Sequence, residues 1–272
     1  MTDGAQWRAK VLARRRSGRY TVLTVSAPGM AERCRPGHFV SVAIAGDSAM
    51  LLRRQVWIAT SSASGRDGGA LELVVNGAEP GGQRLAALDQ GAGMDVMGPL
   101  GRPFSLPRSA VSALLAGVGA SAAPLIWLAA ELGARGSRAQ FLHLPPDEPF
   151  GLLDAKRLCA GVAQVGSDGV GEAVAARCGQ GVDVVYSAGP ALVMAEVAAA
   201  AGSVPHQTAL QTDLVCAAAT CTACVVPITG RDGITRMVRA CAEGAVFNAA
   251  LVRWADLGTV PAQCVGVDEV TP

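Results

Sequence analysis

The chain has 272 residues, of which half are apolar and 17% are charged, and its formal net charge is +1. This composition supplies enough apolar side chains for buried cores and excludes the disordered class, which is poor in them. The charge balance lacks the strongly basic face that nucleic-acid binding requires, and the length predicts two domains, or two domains with a small appendage.

Residues 1–107 are predicted to form an antiparallel β-barrel or sandwich. The first residues lack the apolar stretch of a secretory signal, and the run Arg14, Arg15, Arg16 is interpreted as the solvated face of an N-terminal strand. Short β-prone runs separated by turn residues follow, namely YTVLTVSA, GHFVSVAI, QVWIAT and ALELVVN. The segment GPLGRPFSLP is expected to end the domain without regular structure, because it is rich in Gly and Pro.

The segment from Ser109 to Ala130 carries no charge and is long enough to span a bilayer. It is interrupted by Gly117, Gly119 and Pro124, so a strand, a glycine loop and a helix explain it better than one continuous helix. The helix is expected to stop at Gly133. We therefore expect a soluble, cytoplasmic protein with no membrane-spanning segment.

Residues 108–205 alternate between strand and helix patterns. AQFLHL and DVVYSAGP read as strands, and ALVMAEVAAAAG reads as the helix that follows the second of them. Strands that alternate with helices predict a parallel sheet built from βαβ units. The remaining residues, 206–272, hold a cysteine cluster and a predicted hairpin in CVVPITGRDGITRMV.

Four of the eight cysteines are grouped near the C-terminus with a C-x4-C-x2-C spacing and a more distant fourth member: Cys216, Cys221, Cys224 and Cys241. This is the plant-type ligand spacing of a 2Fe-2S cluster, with a loop presenting three thiolates and a strand-borne fourth cysteine completing the set. Structural zinc is the alternative, but it usually takes two C-x2-C pairs and only one is present here. The scattered remainder, Cys34, Cys159, Cys178 and Cys264, are interpreted as buried thiols.

From about residue 20 to residue 260 the chain resembles the electron-transfer subunit of the NAD-linked, two-subunit dihydroorotate dehydrogenase, a member of the ferredoxin reductase superfamily. The motifs that carry the resemblance are RPGHFVSV, LLRRQVWIA, GPLGRPF, AGVGASAAPL, YSAGPALVM, and CVVPI followed by RACAEGAVFNAALVRW. The resemblance implies a flavin-type β-barrel domain (1–107), a ferredoxin reductase-like α/β domain that binds NAD (108–205) and a 2Fe-2S cluster subdomain (206–272).

The resemblance places FAD in the first domain. Arg54 stands where the family's arginine meets the flavin diphosphate, a role that suits a bidentate guanidinium. The family's Arg-Pro-x-Ser, Tyr-Arg and Gly-Thr positions are occupied here by Arg54, Gln55, Val56 and Trp57, by Val75 and Asn76, and by Gly81 and Gly82. Because a hydroxyl and a tyrosine are absent, we expect FAD to bind more weakly than is usual in the family.

The resemblance places the nicotinamide nucleotide at Gly117 and Gly119, with Ser121 in place of the last glycine of the turn, and at Gly189 and Pro190. It implies an oxidoreductase subunit of pyrimidine biosynthesis that is active only within a complex. The implied partner is a flavin-containing dehydrogenase subunit, in a hetero-oligomer expected to be a heterotetramer. No catalytic residue for a small organic substrate is expected in this chain.

Two other functions remain open at this point. A relay or scaffold subunit could hold only the cluster, without tight FAD or NAD binding, because several expected contacts are replaced. A hydrolase could use Ser121 in GASAA as a nucleophile, with His206 and either Asp183 or Asp213.

Overall fold

A computed structural model describes residues 5–44, 52–64, 68–78, 80–261 and 264. The outer ends of the predicted first and third domains, and Leu51 of the second family motif, lie outside these residues.

The N-terminal part is a closed barrel of six antiparallel strands: β1 (Ala5–Ser17), β2 (Tyr20–Ser26), β3 (Phe39–Ile44), β4 (Arg54–Ser62), β5 (Ala70–Asn76) and β6 (Gly93–Leu100). Their order around the barrel is β1-β2-β5-β4-β3-β6. A single 3-10 turn (Ala31–Arg33) precedes β3, and helix α1 (Pro80–Ala86) follows β5. The prediction of a barrel or sandwich is thereby confirmed as a barrel.

Apolar residues of the barrel strands fill its interior. Leu23, Val42, Ile58 and Leu73 are fully buried, as expected for strands that bury one face. The arginine run lies on β1 and is exposed, as predicted. The expectation that GPLGRPFSLP lacks regular structure was wrong at its start, because β6 continues through Leu100 and pairs there with Phe39.

The second part is a six-stranded sheet with helices on its faces. Its elements are β7 (Ser112–Val118), a 3-10 turn (Gly119–Ala122), α2 (Ala123–Ala134), β8 (Arg138–Leu144), α3 (Leu152–Leu158), β9 (Gly161–Gln164), α4 (Val170–Cys178), β10 (Val184–Pro190), α5 (Ala191–Ala201) and β11 (His206–Gln211). A further strand, β14 (Val246–Asn248), joins the sheet at one edge, in the order β14-β11-β10-β7-β8-β9. All pairs are parallel except β11 with β14. This confirms the predicted parallel sheet.

The C-terminal part consists of the cysteine loop and the hairpin of β12 (Val225–Thr229) and β13 (Thr235–Arg239), which confirms the predicted hairpin. Two 3-10 turns follow β14, at Ala249–Leu251 and Trp254–Asp256. Cys241 lies in a turn after β13, so the expectation of a strand-borne fourth cysteine was wrong. The boundaries at 107/108 and 205/206 remain predictions, and the parallel sheet takes in β11 beyond the second of them.

The barrel and the sheet domain share one hydrophobic core. Tyr20, Phe39 and Trp57 of the barrel belong to the same buried cluster as Val118 and Leu125 of the sheet domain. The Tyr20 hydroxyl donates a hydrogen bond to the Glu148 carbonyl oxygen at 2.7 Å. Among the described helices, none combines the length and the apolar character that crossing a membrane requires.

Candidate functional site

A cleft between the barrel and the sheet domain brings most of the predicted cofactor residues together. It encloses about 120 Å³ and is open on one side. Of the eight predicted flavin residues, all except Gly81 line it: Arg54, Gln55, Val56, Trp57, Val75, Asn76 and Gly82. They are joined by residues from both domains, including Leu85, Val118, Ala120, Ser121, Asp147 and Gln211. We refer to this space as the interdomain cleft.

Two glycines at the start of α1 allow close approach on one side of the cleft. A Cβ atom at Gly81 would stand 2.5 Å from Arg54 Nε, so the guanidinium lies directly on the helix backbone. A Cβ atom at Gly82 would overlap the carbonyl oxygen of Asn76. Packing against backbone therefore requires glycine at position 82, whereas at position 81 glycine is what lets the Arg54 guanidinium lie where it does.

Trp57 both packs in the core and lines the interdomain cleft. Its side chain is buried and meets Phe39 edge to face, with ring centroids 5.8 Å apart. The indole Nε1 donates a hydrogen bond to Ser121 Oγ at 3.1 Å. The tryptophan therefore takes the position where the resemblance places a small hydroxyl residue, and it joins β4 to the loop after β7.

The side-chain amide of Gln55 has a hydrogen-bonded oxygen and a nitrogen without a partner among the described residues. Its Oε1 accepts a hydrogen bond from the Thr212 backbone N–H at 3.2 Å. Its Nε2 is buried and has no hydrogen-bond partner among the described residues, and the same holds for Thr212 Oγ1. A buried donor at the wall of a cleft suits the acceptor atoms of a bound ligand.

The donor set of the interdomain cleft fits a flavin nucleotide. Arg54 supplies a cation for a diphosphate, and the amides of Asn76 and Gln55 supply donors for ring carbonyl and nitrogen acceptors. Val56, Val75 and Trp57 supply apolar walls for an aromatic ring. The enclosed volume is smaller than about 300 Å³, the lower end for ligand pockets, so part of a flavin would lie in the open side.

The predicted nicotinamide residues meet at the carboxyl ends of two neighbouring strands. Gly117 and Gly119 lie at the end of β7 and just after it, and Gly189 and Pro190 end β10. The strand order reverses between β7 and β10, which is where open α/β sheets bind ligands. These residues therefore lie at the position where sheets of this topology bind their ligands.

Close packing accounts for two of these glycines. Gly119 has φ +48°, and a Cβ there would lie 2.7 Å from both Asp147 Oδ2 and Tyr20 Oη. A Cβ at Gly189 would lie 2.9 Å from Val118 Cγ2. Glycine at 119 thus allows the acidic Asp147 side chain to lie over the turn after β7.

The structure does not assemble the hydrolase triad. Ser121 Oγ accepts a hydrogen bond from the Trp57 indole N–H, and the Asp183 carboxylate accepts one from the Ser112 backbone N–H at 2.8 Å. His206 Nε2 instead meets Ser187 Oγ at 2.8 Å, and the Ser187 side chain is fully buried. The hydrolase alternative is therefore wrong, because the proposed nucleophile and base have other partners.

The cysteine loop (Cys216–Cys224) turns backbone amides toward sulfur. Ala217, Ala219 and Thr222 have positive φ angles of 54°, 61° and 53°, an uncommon conformation for residues with a Cβ. Cys216 Sγ accepts hydrogen bonds from the backbone N–H groups of Ala218 at 3.3 Å and Cys221 at 3.4 Å. Such inward amides stabilise negative charge on sulfur.

The pKa values of two loop thiols are low. Burial alone would raise the pKa of Cys216, but hydrogen bonds from Thr220, Ala218 and Cys221 outweigh it and lower that pKa to about 6. A hydrogen bond between the Cys224 and Cys241 thiols lowers the pKa of Cys224 and raises that of Cys241. The thiolate is the form that binds metals, so the loop favours the ligand state of Cys216 and Cys224.

The Cys221 backbone N–H donates a hydrogen bond to Cys216 Sγ, and the Cys224 and Cys241 thiols are hydrogen-bonded to each other. Within the described part of the chain, no three His, Cys, Asp or Glu side chains are grouped closely enough to hold one metal ion. A structural zinc ion needs four ligands around a single point, whereas a 2Fe-2S cluster distributes four thiolates over two irons. The C-x4-C-x2-C spacing remains the reason to prefer an iron–sulfur cluster, because structural zinc usually takes two C-x2-C pairs.

Two of the four scattered cysteines are buried, as expected, and two are not. Cys34 and Cys264 are buried, and burial raises the pKa of Cys34 to about 12. Cys159 and Cys178 are only partly buried, although burial raises both pKa values, to about 11 for Cys159. The buried-thiol interpretation is thus confirmed for two of the four.

Comparison with curated proteins decides the family, although no protein-family model matches the chain. The chain is 31% identical over 246 residues to the dihydroorotate dehydrogenase B (NAD(+)) electron transfer subunit of Desulforamulus reducens, covering 84% of this chain and 90% of that one. The chain belongs to the family of dihydroorotate dehydrogenase B electron transfer subunits. Its relative of the same description in Bacillus caldolyticus is 27% identical over 239 residues, covering 85% and 91% of the two chains.

Two solved structures have the same fold as this chain. The structure of an NADH-dependent reduced ferredoxin-NADP oxidoreductase, described for flavin-based electron bifurcation, superimposes with a TM-score of 0.74 at 20% identity and covers 96% of this chain and 95% of that one. The ferredoxin reductase of carbazole 1,9a-dioxygenase, in its FAD apo form, gives a TM-score of 0.58 at 20% identity, covering 74% and 65%. These likenesses confirm the predicted ferredoxin reductase-like fold.

Proposed function

We propose that this chain is the electron-transfer subunit of a dihydroorotate dehydrogenase complex, in which it carries electrons between a flavin-containing catalytic subunit and NAD. The observation that carries the proposal is the short path between the interdomain cleft and the cysteine loop. Gln211 lines the interdomain cleft, and Cys216 follows five positions later. An extended chain spans at most about 3.6 Å per residue, so the two Cα atoms are at most about 18 Å apart.

FAD would bind in the interdomain cleft, with Arg54 on its diphosphate and Gln55, Asn76 and Trp57 around the ring. When bound, it would supply the conversion between two-electron transfer with NAD and one-electron transfer with an iron–sulfur cluster. The chain's own residues hold and orient the cofactor, and Trp57 and Phe39 keep water from the barrel side of the cleft.

NAD would bind across the crevice at the ends of β7 and β10, near Gly117, Gly119, Gly189 and Pro190. The 2Fe-2S cluster would be held by Cys216, Cys221, Cys224 and Cys241. Thiolate ligands of this kind persist in a reducing compartment, which supports the cytoplasm as the location.

The catalytic partner would be a flavin-containing dehydrogenase subunit, with a heterotetramer as the expected assembly. Electron transfer requires short distances, so the cysteine loop would face that partner. Val215 and Cys221 are exposed in the loop region and would be covered in the complex. The cluster-only relay is not favoured, because the predicted flavin residues converge on one cleft and the family relatives are electron transfer subunits.

The test is co-expression with a candidate dehydrogenase subunit, followed by size-exclusion chromatography and cofactor analysis of the complex. We expect one FAD and about two irons and two sulfides per copy of this chain. Adding NADH under anaerobic conditions should bleach the flavin band and produce the electron paramagnetic resonance signal of a reduced cluster. A complex that forms without FAD, or a cluster that NADH does not reduce, would contradict the proposal.

A further inference from the structure

Gln55 contacts the two regions that the proposed electron path must join. Its side chain lines the interdomain cleft, and its Oε1 accepts the Thr212 backbone N–H at 3.2 Å. Gln55 lies on barrel strand β4, and Thr212 is the first residue after β11, four positions before Cys216. One side chain therefore contacts both the cleft and the segment that leads into the cysteine loop.

The nitrogen end of the Gln55 amide lacks a hydrogen-bond acceptor in the described residues. Gln55 Nε2 is shielded from solvent and has no acceptor among the described residues. A buried amide N–H without an acceptor is costly, and native structures leave few of them. The nitrogen belongs to a residue of the cleft wall, so an acceptor atom on a molecule in the interdomain cleft would complete its hydrogen bonding.

Thr212, the partner of Gln55, also has a side-chain atom without a hydrogen-bond partner in the described residues. Its backbone N–H is satisfied by Gln55 Oε1, while its Oγ1 is buried without a partner in the described part of the chain. Both orphaned atoms thus belong to the two residues of one hydrogen bond. Two unmet groups at one junction indicate a polar ligand edge better than one isolated group does.

We propose that Gln55 is a positioning residue that couples the flavin site to the cysteine loop. In this proposal, which rests on the proposed function, Nε2 donates a hydrogen bond to an acceptor on the ring edge of the bound flavin. At the same time Oε1 holds the Thr212 amide and, through it, the approach to Cys216. The amide is thereby fixed at both ends only when flavin is present.

Substitutions of Gln55 can remove the donor alone or the donor and the acceptor together, and we expect these two kinds of change to have different effects. Gln55→Glu keeps an acceptor for the Thr212 N–H, loses the donor and places a negative charge beside the flavin. Gln55→Leu has nearly the same volume but loses both hydrogen bonds. Gln164→Leu is the matched control, because Gln164 is exposed on β9, the edge strand farthest from β11.

The proposed experiment uses the complex with its dehydrogenase subunit and measures three quantities: the FAD dissociation constant, the flavin midpoint potential and the g-values of the reduced cluster. We expect both Gln55 variants to bind FAD about 3- to 10-fold more weakly, the range for one lost hydrogen bond. Gln55→Glu should also lower the flavin potential, because a nearby carboxylate disfavours the reduced, more negative ring. Only Gln55→Leu should change the cluster g-values.

The outcomes separate this proposal from the proposed function. If the unaltered complex contains no FAD, the proposed function fails. If it contains FAD and both Gln55 variants match Gln164→Leu in FAD affinity and potential, the Gln55 proposal is wrong and the proposed function stands. Should Gln55→Leu not fold, the isosteric Gln55→Glu still decides through its affinity and potential.

Discussion

The indole nitrogen of Trp57 and the hydroxyl of Ser121 form a buried hydrogen bond of 3.1 Å that joins the barrel to the loop after β7. The two residues are 64 positions apart in the sequence, and both line the interdomain cleft. The bond therefore fixes the relative position of the two domains at the place where the proposed flavin and nicotinamide would meet.

Trp57→Phe is expected to lower the free energy of unfolding by more than about 1 kcal/mol, because one buried hydrogen bond is lost and the smaller ring leaves part of the buried site unfilled. Ser121→Ala should cost about 1–3 kcal/mol, since it leaves the indole N–H buried without an acceptor. Urea denaturation of both variants and of the double variant measures the coupling. Strictly additive effects would show that the hydrogen bond contributes nothing to stability.

Cys241→Ser and Cys216→Ser are each expected to abolish the iron–sulfur cluster, because either change removes one of the four thiolate ligands. Iron and sulfide assays on anaerobically purified protein should fall from about two of each per chain to near zero. Cys178→Ser is the control, since Cys178 lies at the end of α4 and should leave the cluster content unchanged. Zinc without sulfide in the unaltered protein would contradict the ligand assignment.

Arg54→Lys is expected to weaken FAD binding about tenfold while leaving the fold unchanged. Lysine keeps the charge but cannot make the paired, planar contacts of a guanidinium with a diphosphate. The Gly81 backbone beneath Arg54 would accept the smaller side chain without strain. Fluorescence titration of the flavin-free protein with FAD provides the measurement, with the exposed Arg157→Lys as a matched control.

His143→Leu is expected to reduce the loss of stability in acid. Burial lowers the pKa of His143 to about 4, below its usual 6.5, so the unfolded chain binds a proton more readily than the folded one. Stability contributed by the neutral ring is thus present above pH 6.5 and is lost as the pH falls toward 4. The variant should gain about 1–2 kcal/mol relative to the unaltered chain between pH 7 and pH 4.5, as measured by urea denaturation.

His143 is well suited to this test because its environment is simple. Both ring nitrogens are buried and lack a hydrogen-bond partner in the described residues, and the ring packs on Phe141 with centroids 4.6 Å apart. Leucine has a similar volume and no polar atoms to bury. An equal pH dependence in the two proteins would mean that His143 is not the group that titrates.

The fold class follows from local patterns in the sequence, whereas the predicted cofactor residues come from the family resemblance. Four of the six barrel strands follow from short β-prone runs, and the candidate cluster ligands follow from the cysteine spacing. Helix α1 was missed, since Gly81 and Gly82 weaken its local helix propensity and its position is set by packing on Arg54 and Asn76.

Contacts between distant segments could not be predicted from local patterns. The Gln55–Thr212 hydrogen bond joins residues 157 positions apart, and the Trp57–Ser121 bond crosses between domains. In neither hydrogen bond does the sequence around one residue indicate which distant residue it contacts. The turn position of Cys241 was missed for a related reason, because β13 ends two residues before it and only the tertiary structure shows where.

The antiparallel pairing of β14 with β11 makes the whole cysteine region an insertion. Ala209 pairs with Val246, and the Leu210 N–H donates to the Ala245 carbonyl oxygen at 3.0 Å, so the chain returns beside the point where it left the sheet. The stretch between these residues has the topology of an enlarged hairpin loop, whose closure cost grows only slowly with length. Within the sheet, the cysteine region could therefore change in length without changing the strand order, but its Cys224, Val226 and Cys241 side chains pack in the core that the two domains share.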